Sequence, residues 1–268
     1  MRLPRLGPLP REHGTWAMLV VPWAVGCGIG GRLTIRGSLL LVGGLALFLA
    51  QHRLAAWYRH RHRSMERRER RDTLAALAVL TAIGLGAMAA ALIDLPPATL
   101  TVLVGAGGLS TAASLLLVDA RLDHALPGQM LAAIGLGVMA PGAYFATGGT
   151  RAREALALWV LDGAFFLWAV FYVRLKIEAR ARRLRTAPGE RLALVATPIG
   201  VDVVLAVVAV VGLRLGDLSP LGIIAFVPAA VQSITGTARL DRVASLKRVG
   251  ILMLAHSVAF GVLLIVFT

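Results

Sequence analysis

Charged side chains are scarce in this chain: 16% of its 268 residues are Asp, Glu, Lys or Arg, against about 25% in an average soluble domain. The polar surface that would hold a globule of this length in water is missing, which argues against one or two aqueous domains. Cysteine occurs once, as Cys27, so an internal disulfide is excluded. Alternation of apolar and polar residues is also missing. Stretches such as residues 74–93 are apolar all round, which excludes a transmembrane β-barrel, whose strands face lipid and lumen in turn. Acidic residues number 14 against 28 Lys and Arg, a net charge of +14. In a soluble chain that excess would raise the question of nucleic acid. Here the charges lie between apolar runs, where membrane topology requires them, and nucleic acid is not an expected partner.

What is present is hydrophobic sequence, 57% of the chain. Backbone amides and carbonyls in lipid must be paired within the protein, so the runs are read as membrane-spanning helices. Segments of spanning length lie at residues 15–31, 38–58, 73–94, 98–118, 129–147, 154–174, 192–213, 219–237 and 248–268. These give a single integral membrane domain over residues 1–268, an all-α bundle of about nine spans. Pro22, Pro141, Pro198 and Pro228 fall inside spans and predict kinks. Gly43–Gly44 and the stretch 105–108 are small enough to let helices approach closely.

Orientation follows from Lys and Arg in alternate connections. With the N-terminus in the cytoplasm, 23 of them are inside and 5 outside, the latter being Arg32, Arg36, Arg151, Arg153 and Arg214. This satisfies the positive-inside rule with the N-terminus in and the C-terminus out. A cleaved signal peptide, suggested by Arg2, Arg5 and Arg11 before the first apolar run, is disfavoured. Ala24 stands three residues before Cys27 where a lipoprotein site has Leu, and the run continues past it.

Four groups of residues carry possible chemistry. At the mouth of the first span, Glu12 and His13 precede Gly14, Thr15 and Trp16. Helix capping and an interfacial aromatic explain all but His13, a candidate ligand-binding or proton-exchanging group. After the second span, Gln51, His52, Arg53 and Arg59 leave the membrane at helical spacing and present donors suited to a phosphate or carboxylate headgroup. The rest of that arginine-rich connection anchors topology and attracts anionic phospholipid. His60 and His62 lack the thiol or acid partners of a structural metal site, and no metal is expected. At the end of the sixth span, Arg174, Lys176 and Glu178 emerge on the same side as Gln51 to Arg59, and the two groups are expected to line one cytoplasmic mouth. Finally Asp162, Asp202, Gln232, Ser233 and His256 lie within spans. An acid at that depth costs about 2.5–3.5 kcal/mol on insertion scales and normally faces a partner or a cavity. Asp202 and His256 are the preferred pair, because Asp162 falls only about two turns from the outer end of its expected helix.

Two segments resemble the YwiC-like family of bacterial membrane proteins: residues 10–23, PREHGTWAMLVVPW, and residues 247–261, KRVGILMLAHSVAFG. That resemblance implies a multi-pass protein of the bacterial cell membrane and supplies no activity or cofactor. The helix count and the two polar connections after spans two and six are also similar to UbiA-type intramembrane prenyltransferases. In that family, aspartate motifs at those places hold magnesium against a prenyl diphosphate. Laid over this chain, the first motif falls on Gln51, His52, Ala55 and Arg59, and the second near Arg174 and Glu178. Every aspartate is missing, so the standard magnesium-dependent reaction loses its cation holder.

Three readings remain open. One is a UbiA-like bundle whose basic cytoplasmic mouth binds an isoprenoid or other anionic lipid, with Trp57, Tyr58, Phe165, Phe166 and Trp168 lining a lateral opening. Another is a transporter or permease working through Asp202 and His256. The last is an accessory factor for a membrane complex. The topology itself is testable: green fluorescent protein inserted after Arg63 should fluoresce and alkaline phosphatase fused after Thr268 should be active. The reverse pattern would overturn the orientation.

Overall fold

The computed structural model describes residues 13–60, 67–123, 125–181, 188–238 and 245–268, and the side chains of residues 14–58, 70–123, 125–180, 199–238, 245 and 247–268. These form ten α-helices and one 3-10 helix, with no strand among the described residues. In order they are α1 His13–Ile29, α2 Ile35–His60, α3 Arg67–Leu92, α4 Pro97–Asp119, α5 Leu126–Leu136, α6 Met139–Ala146, α7 Ala152–Ala181, α8 Pro188–Leu215, the 3-10 helix Pro220–Phe226, α9 Val227–Ala238 and α10 Leu246–Phe267. Seven described segments are long and apolar enough to cross a membrane, and Gly14–Ile29 is a shorter apolar helix. Taken with α8, and with α5–α6 and the 3-10 helix–α9 each counted as one pass, they reproduce the expected series of spans.

Both doubled passes are broken by proline, and in the same way. A proline has no N–H to give to the carbonyl four residues earlier. In the α5–α6 pass, Pro141 leaves the Gly137 carbonyl without its helical donor, and that oxygen accepts instead from Ala140 N at 3.0 Å. In the later pass, Pro228 leaves the Ile224 carbonyl to the N–H of Val227. Each swap gives the freed carbonyl a tighter i+3 bond, which keeps that oxygen paired while the chain is redirected. Ser219 starts the 3-10 helix by accepting from Leu221 N at 3.2 Å. By contrast α1 continues through Pro22 and α8 through residue 198.

Two apolar clusters divide the interior. The larger gathers Ala17, Val21 and Val25 of α1 with α5–α10, around Leu158, Phe165, Phe166 and Phe260. The smaller gathers Leu19 and Cys27 of α1 with Leu40 of α2, Ala91 and Leu92 of α3 and Met139 and Ala143 of α6. The α1 and α6 helices thus contribute to both and form the wall between them. They meet closely at Gly26, where a Cβ would lie 2.2 Å from the Ala140 carbonyl oxygen, and at Gly30, where it would lie 2.1 Å from Thr147 Oγ1. The four-residue spacing of these glycines is the small-xxx-small pattern that brings membrane helices together.

Of the glycine stretches noted in the sequence, Gly43 does let α2 approach α3, lying against Met88 and the Gly84 carbonyl, and Gly44 lies against Met139. Gly105, Gly107 and Gly108 do not: a Cβ on any of them would meet nothing within 4 Å. They lie on α4, where Val102, Leu109 and Leu116 are exposed and Val118 alone is buried among its described residues. The α4 helix therefore turns most of its surface to lipid, and its glycines have no helix to admit.

On the side away from the arginine-rich connections, the α1–α2 turn is tied to the end of α6. Trp23 Nε1 donates to the Gly37 carbonyl at 2.7 Å, Thr34 Oγ1 to the Ala146 carbonyl at 3.1 Å and Arg32 Nε to the Thr147 carbonyl at 3.2 Å. Tyr144 OH donates to Glu154, joining α6 to the start of α7. These contacts brace the α1–α6 wall at one end. The wall predicts opposite outcomes for two similar substitutions. Gly26→Ala must push α1 from α6 and should cost about 1–3 kcal/mol, as overpacking does, whereas Gly105→Ala should leave the melting temperature in detergent unchanged or raised. Equal effects of the two would show that the close approach is not structural.

Candidate functional site

The expected polar residues of the spans divide into a group that meets and one that stands alone. The meeting point is on α7, whose Trp168, Tyr172 and Lys176 recur every four residues and therefore share a face. Trp168 and Tyr172 stack with ring centroids 5.6 Å apart. Three other elements bring polar side chains to this face. From α9, Ser233 Oγ accepts from Trp168 Nε1 at 2.7 Å, and Gln232 Nε2 donates to Tyr172 OH at 2.5 Å. From α8, Asp202 lines the same small space as Ser233. From α10, the His256 ring lies 6.1 Å from Trp168, centroid to centroid. Trp168, Phe171, Tyr172, Asp202, Ser233 and Thr237 line a small open cleft with room for about one water molecule.

The bonding fixes roles. Ser233 accepts from the indole, so its hydroxyl links α7 and α9. His256 Nδ1 lies 2.8 Å from the Leu252 carbonyl of its own helix. A carbonyl can only accept, so Nδ1 is the donor in this bond. Lys176 Nζ donates to the Gly236 carbonyl at 2.5 Å and lies 5.6 Å from the centre of the Tyr172 ring. A lysine on the last carbonyls of α9 complements the negative end of that helix. Its contact explains how a lysine at the foot of α7 is held close to the cleft.

The other expected site residues are placed as follows. Arg174 pairs with Glu178 one turn on, Nε to Oε1 at 3.1 Å, with side chains 43% and 40% exposed. Gln51, His52 and Arg53 are half-buried on α2. The α2 helix packs on α3, α1, α4 and α6, while α7 packs on α8, α5, α6 and α1. The α1 and α6 helices thus each pack on both α2 and α7. Glu12 lies outside the described residues, as do the side chains of His13, Arg59 and His60 and the whole of His62. Phe165 and Phe166 are fully buried, Phe165 stacking on Phe260 at 4.2 Å, so with Trp168 they form part of the core instead of lining a lateral opening.

Asp162 is the residue that sequence reasoning undervalued. The α7 helix begins at Ala152, two residues before the expected start, which sets Asp162 about 15 Å along the axis. It is 0% exposed, and neither carboxylate oxygen has a hydrogen-bond partner. Tyr172 was also missed as a site residue, although its spacing from Trp168 and Lys176 is visible in the sequence.

Residues 9–144, half of the chain, match the model of the YwiC-like protein family. The chain belongs to the YwiC-like family. No curated protein and no solved structure matches it, and the likeness to UbiA-type prenyltransferases has no support from these comparisons. The YwiC-like match covers α1–α6 and includes the first of the two segments quoted above. The polar cluster on α7–α10 and the 247–261 segment lie beyond it. The bundle's YwiC-like half thus supplies the α1–α6 wall, and the remaining helices supply the polar interior.

The bond from Trp168 to Ser233 gives a prediction. Ser233→Ala leaves the Trp168 indole N–H without its acceptor and should cost about 1–3 kcal/mol of stability. Ser257→Ala removes an equally buried hydroxyl that bonds only back to Met253 O of its own helix at 2.9 Å, and should be nearly neutral. Thermal melts of the two variants in detergent test the difference.

Proposed function

We propose that this multi-pass membrane protein is a transporter or permease whose working site is the α7–α10 cluster, with Asp202 and His256 as its proton- or solute-handling groups. The observation that carries this reading is the gathering of Asp202, Gln232, Ser233 and His256, from three helices, around Trp168 and Tyr172. Polar groups within a membrane interior are costly and are normally retained where a solute, ion or proton passes. A carboxylate lining a cleft of water size, with an imidazole against the Trp168 ring that also lines it, suits the movement of protons or of a small solute coupled to them. The proline break in the pass that carries Gln232 and Ser233 supports the same reading. Discontinuous helices give transporter sites a place to bend.

A lipid-binding role has one specific observation in its favour, the accumulation of 23 of the 28 Lys and Arg on one side of the predicted topology. Such a face attracts anionic headgroups electrostatically. The Arg174–Glu178 pair takes one of the cations that an isoprenoid diphosphate would need, which makes transport the stronger proposal.

Proteoliposomes loaded with a pH-sensitive dye and given a potassium diffusion potential provide the test. Wild type should admit protons faster than empty vesicles, with Asp202→Asn and His256→Ala reduced to the empty-vesicle rate and Ser257→Ala unaffected. Flux that is absent, or that survives both substitutions, would sink the proposal. Native mass spectrometry of wild type and Arg174→Ala would then show whether a specific isoprenoid or anionic lipid is held instead.

A further inference from the structure

Asp162 has no part in the α7–α10 cluster, yet it is the most isolated polar group in the described bundle. Its side chain is completely buried, and both carboxylate oxygens lack a partner. Buried polar atoms in folded proteins are almost always paired, and an unpaired one needs an explanation. An ionised carboxylate enclosed by apolar side chains without a counter-charge is not a stable arrangement. A purely structural acid would have a donor; this one has none.

Its surroundings define what could supply the missing positive charge. Elements packed on α7 are α1, α5, α6, α8, α9 and α10. The titratable groups in the described interior of those helices are Cys27 on α1, Tyr144 on α6, Asp202 on α8 and His256 on α10. None hydrogen-bonds Asp162. Arg214, Lys247 and Arg248 of α8 and α10 are exposed near helix ends. Among the described residues no internal cation therefore compensates the carboxylate. There is room at the next residue: Gly163 is buried, yet a Cβ on Gly163 would meet no atom within 4 Å. Among the described residues no three His, Cys, Asp or Glu side chains gather as metal ligands. A lone carboxylate matches a proton or a singly charged ion, and multivalent metals need a larger donor set.

We infer that Asp162 is a cation-binding site in the middle of the bundle, taking up a proton or a singly charged metal ion from outside the protein. It is distinct from the Asp202–His256 cluster. Along α7 it lies between that cluster and the Tyr144–Glu154 contact at the opposite end of the helix, so a cation bound there occupies the depth that neither end group reaches.

Dicyclohexylcarbodiimide, an apolar reagent that enters bilayers, tests this on the intact protein. A protonated carboxyl adds its O–H across one C=N bond of the reagent, and the adduct rearranges to a stable N-acylurea with no leaving group. Tandem mass spectrometry should locate the adduct on Asp162 in wild type and show its loss in Asp162→Asn, with that variant melting at the wild-type temperature. Protection by sodium or potassium chloride but not by choline chloride would assign a metal ion, and equal labelling in all three salts would assign the proton. An unmodified Asp162 in the folded wild type would overturn the inference. So would a large fall in the melting temperature of Asp162→Asn, which would mean that the carboxyl is structural. Because adducts on residues 162 and 202 fall in different peptides, failure here is separable from failure of the transport reading.

Discussion

The close packing of α1 on α6 is the contact from which the rest of the bundle is organised. In lipid, apolar side chains gain nothing by leaving solvent, so helices associate where their surfaces fit and backbones can come near each other. Gly26 and Gly30 allow that approach, with no side chain between α1 and the Ala140 and Tyr144 backbone. Because both helices also reach the two apolar clusters, their spacing sets where α2 and α3 lie on one side and α7 and α10 on the other. The bonds from Trp23, Thr34 and Arg32 hold one end of this wall.

Against this wall, α7 acts as the second organiser and the carrier of the polar interior. Its aromatic face is buried through Phe165 and Trp168 and ends at Tyr172 and Lys176, where polar partners take over. The change from apolar stacking to hydrogen bonding occurs within two turns. Trp168 sits at the boundary, offering its ring to His256 and its N–H to Ser233. An indole has an apolar body with one donor, which suits that position. Asp162 lies one to two turns back toward the opposite face, where no partner is supplied.

The proline-broken passes show how a membrane helix departs from regular geometry without leaving the freed carbonyl unpaired. In both, the freed carbonyl takes the N–H one residue nearer, so that oxygen stays paired while the helix changes direction. The second break matters for the candidate site. It precedes Gln232 and Ser233 by one to two turns and so helps decide where those side chains meet α7.

The sequence by itself determined the number and order of passes, their approximate ends and the predicted side of each connection. Those depend on hydropathy over windows of about 20 residues and on counts of Lys and Arg, both of which are summed along the chain. It also marked Asp202, Gln232, Ser233 and His256 as unusual, since any polar residue within a span is conspicuous. Only the tertiary structure decided which of these meet, that Asp162 has no partner, and that Gly26 admits a helix while Gly105 faces lipid. The physical reason is rotation about the helix axis: one residue turns a side chain by about 100°. Spans that are apolar all round carry no stripe to show which face turns inward. That choice is made by the shapes of neighbouring helices, which no single segment contains.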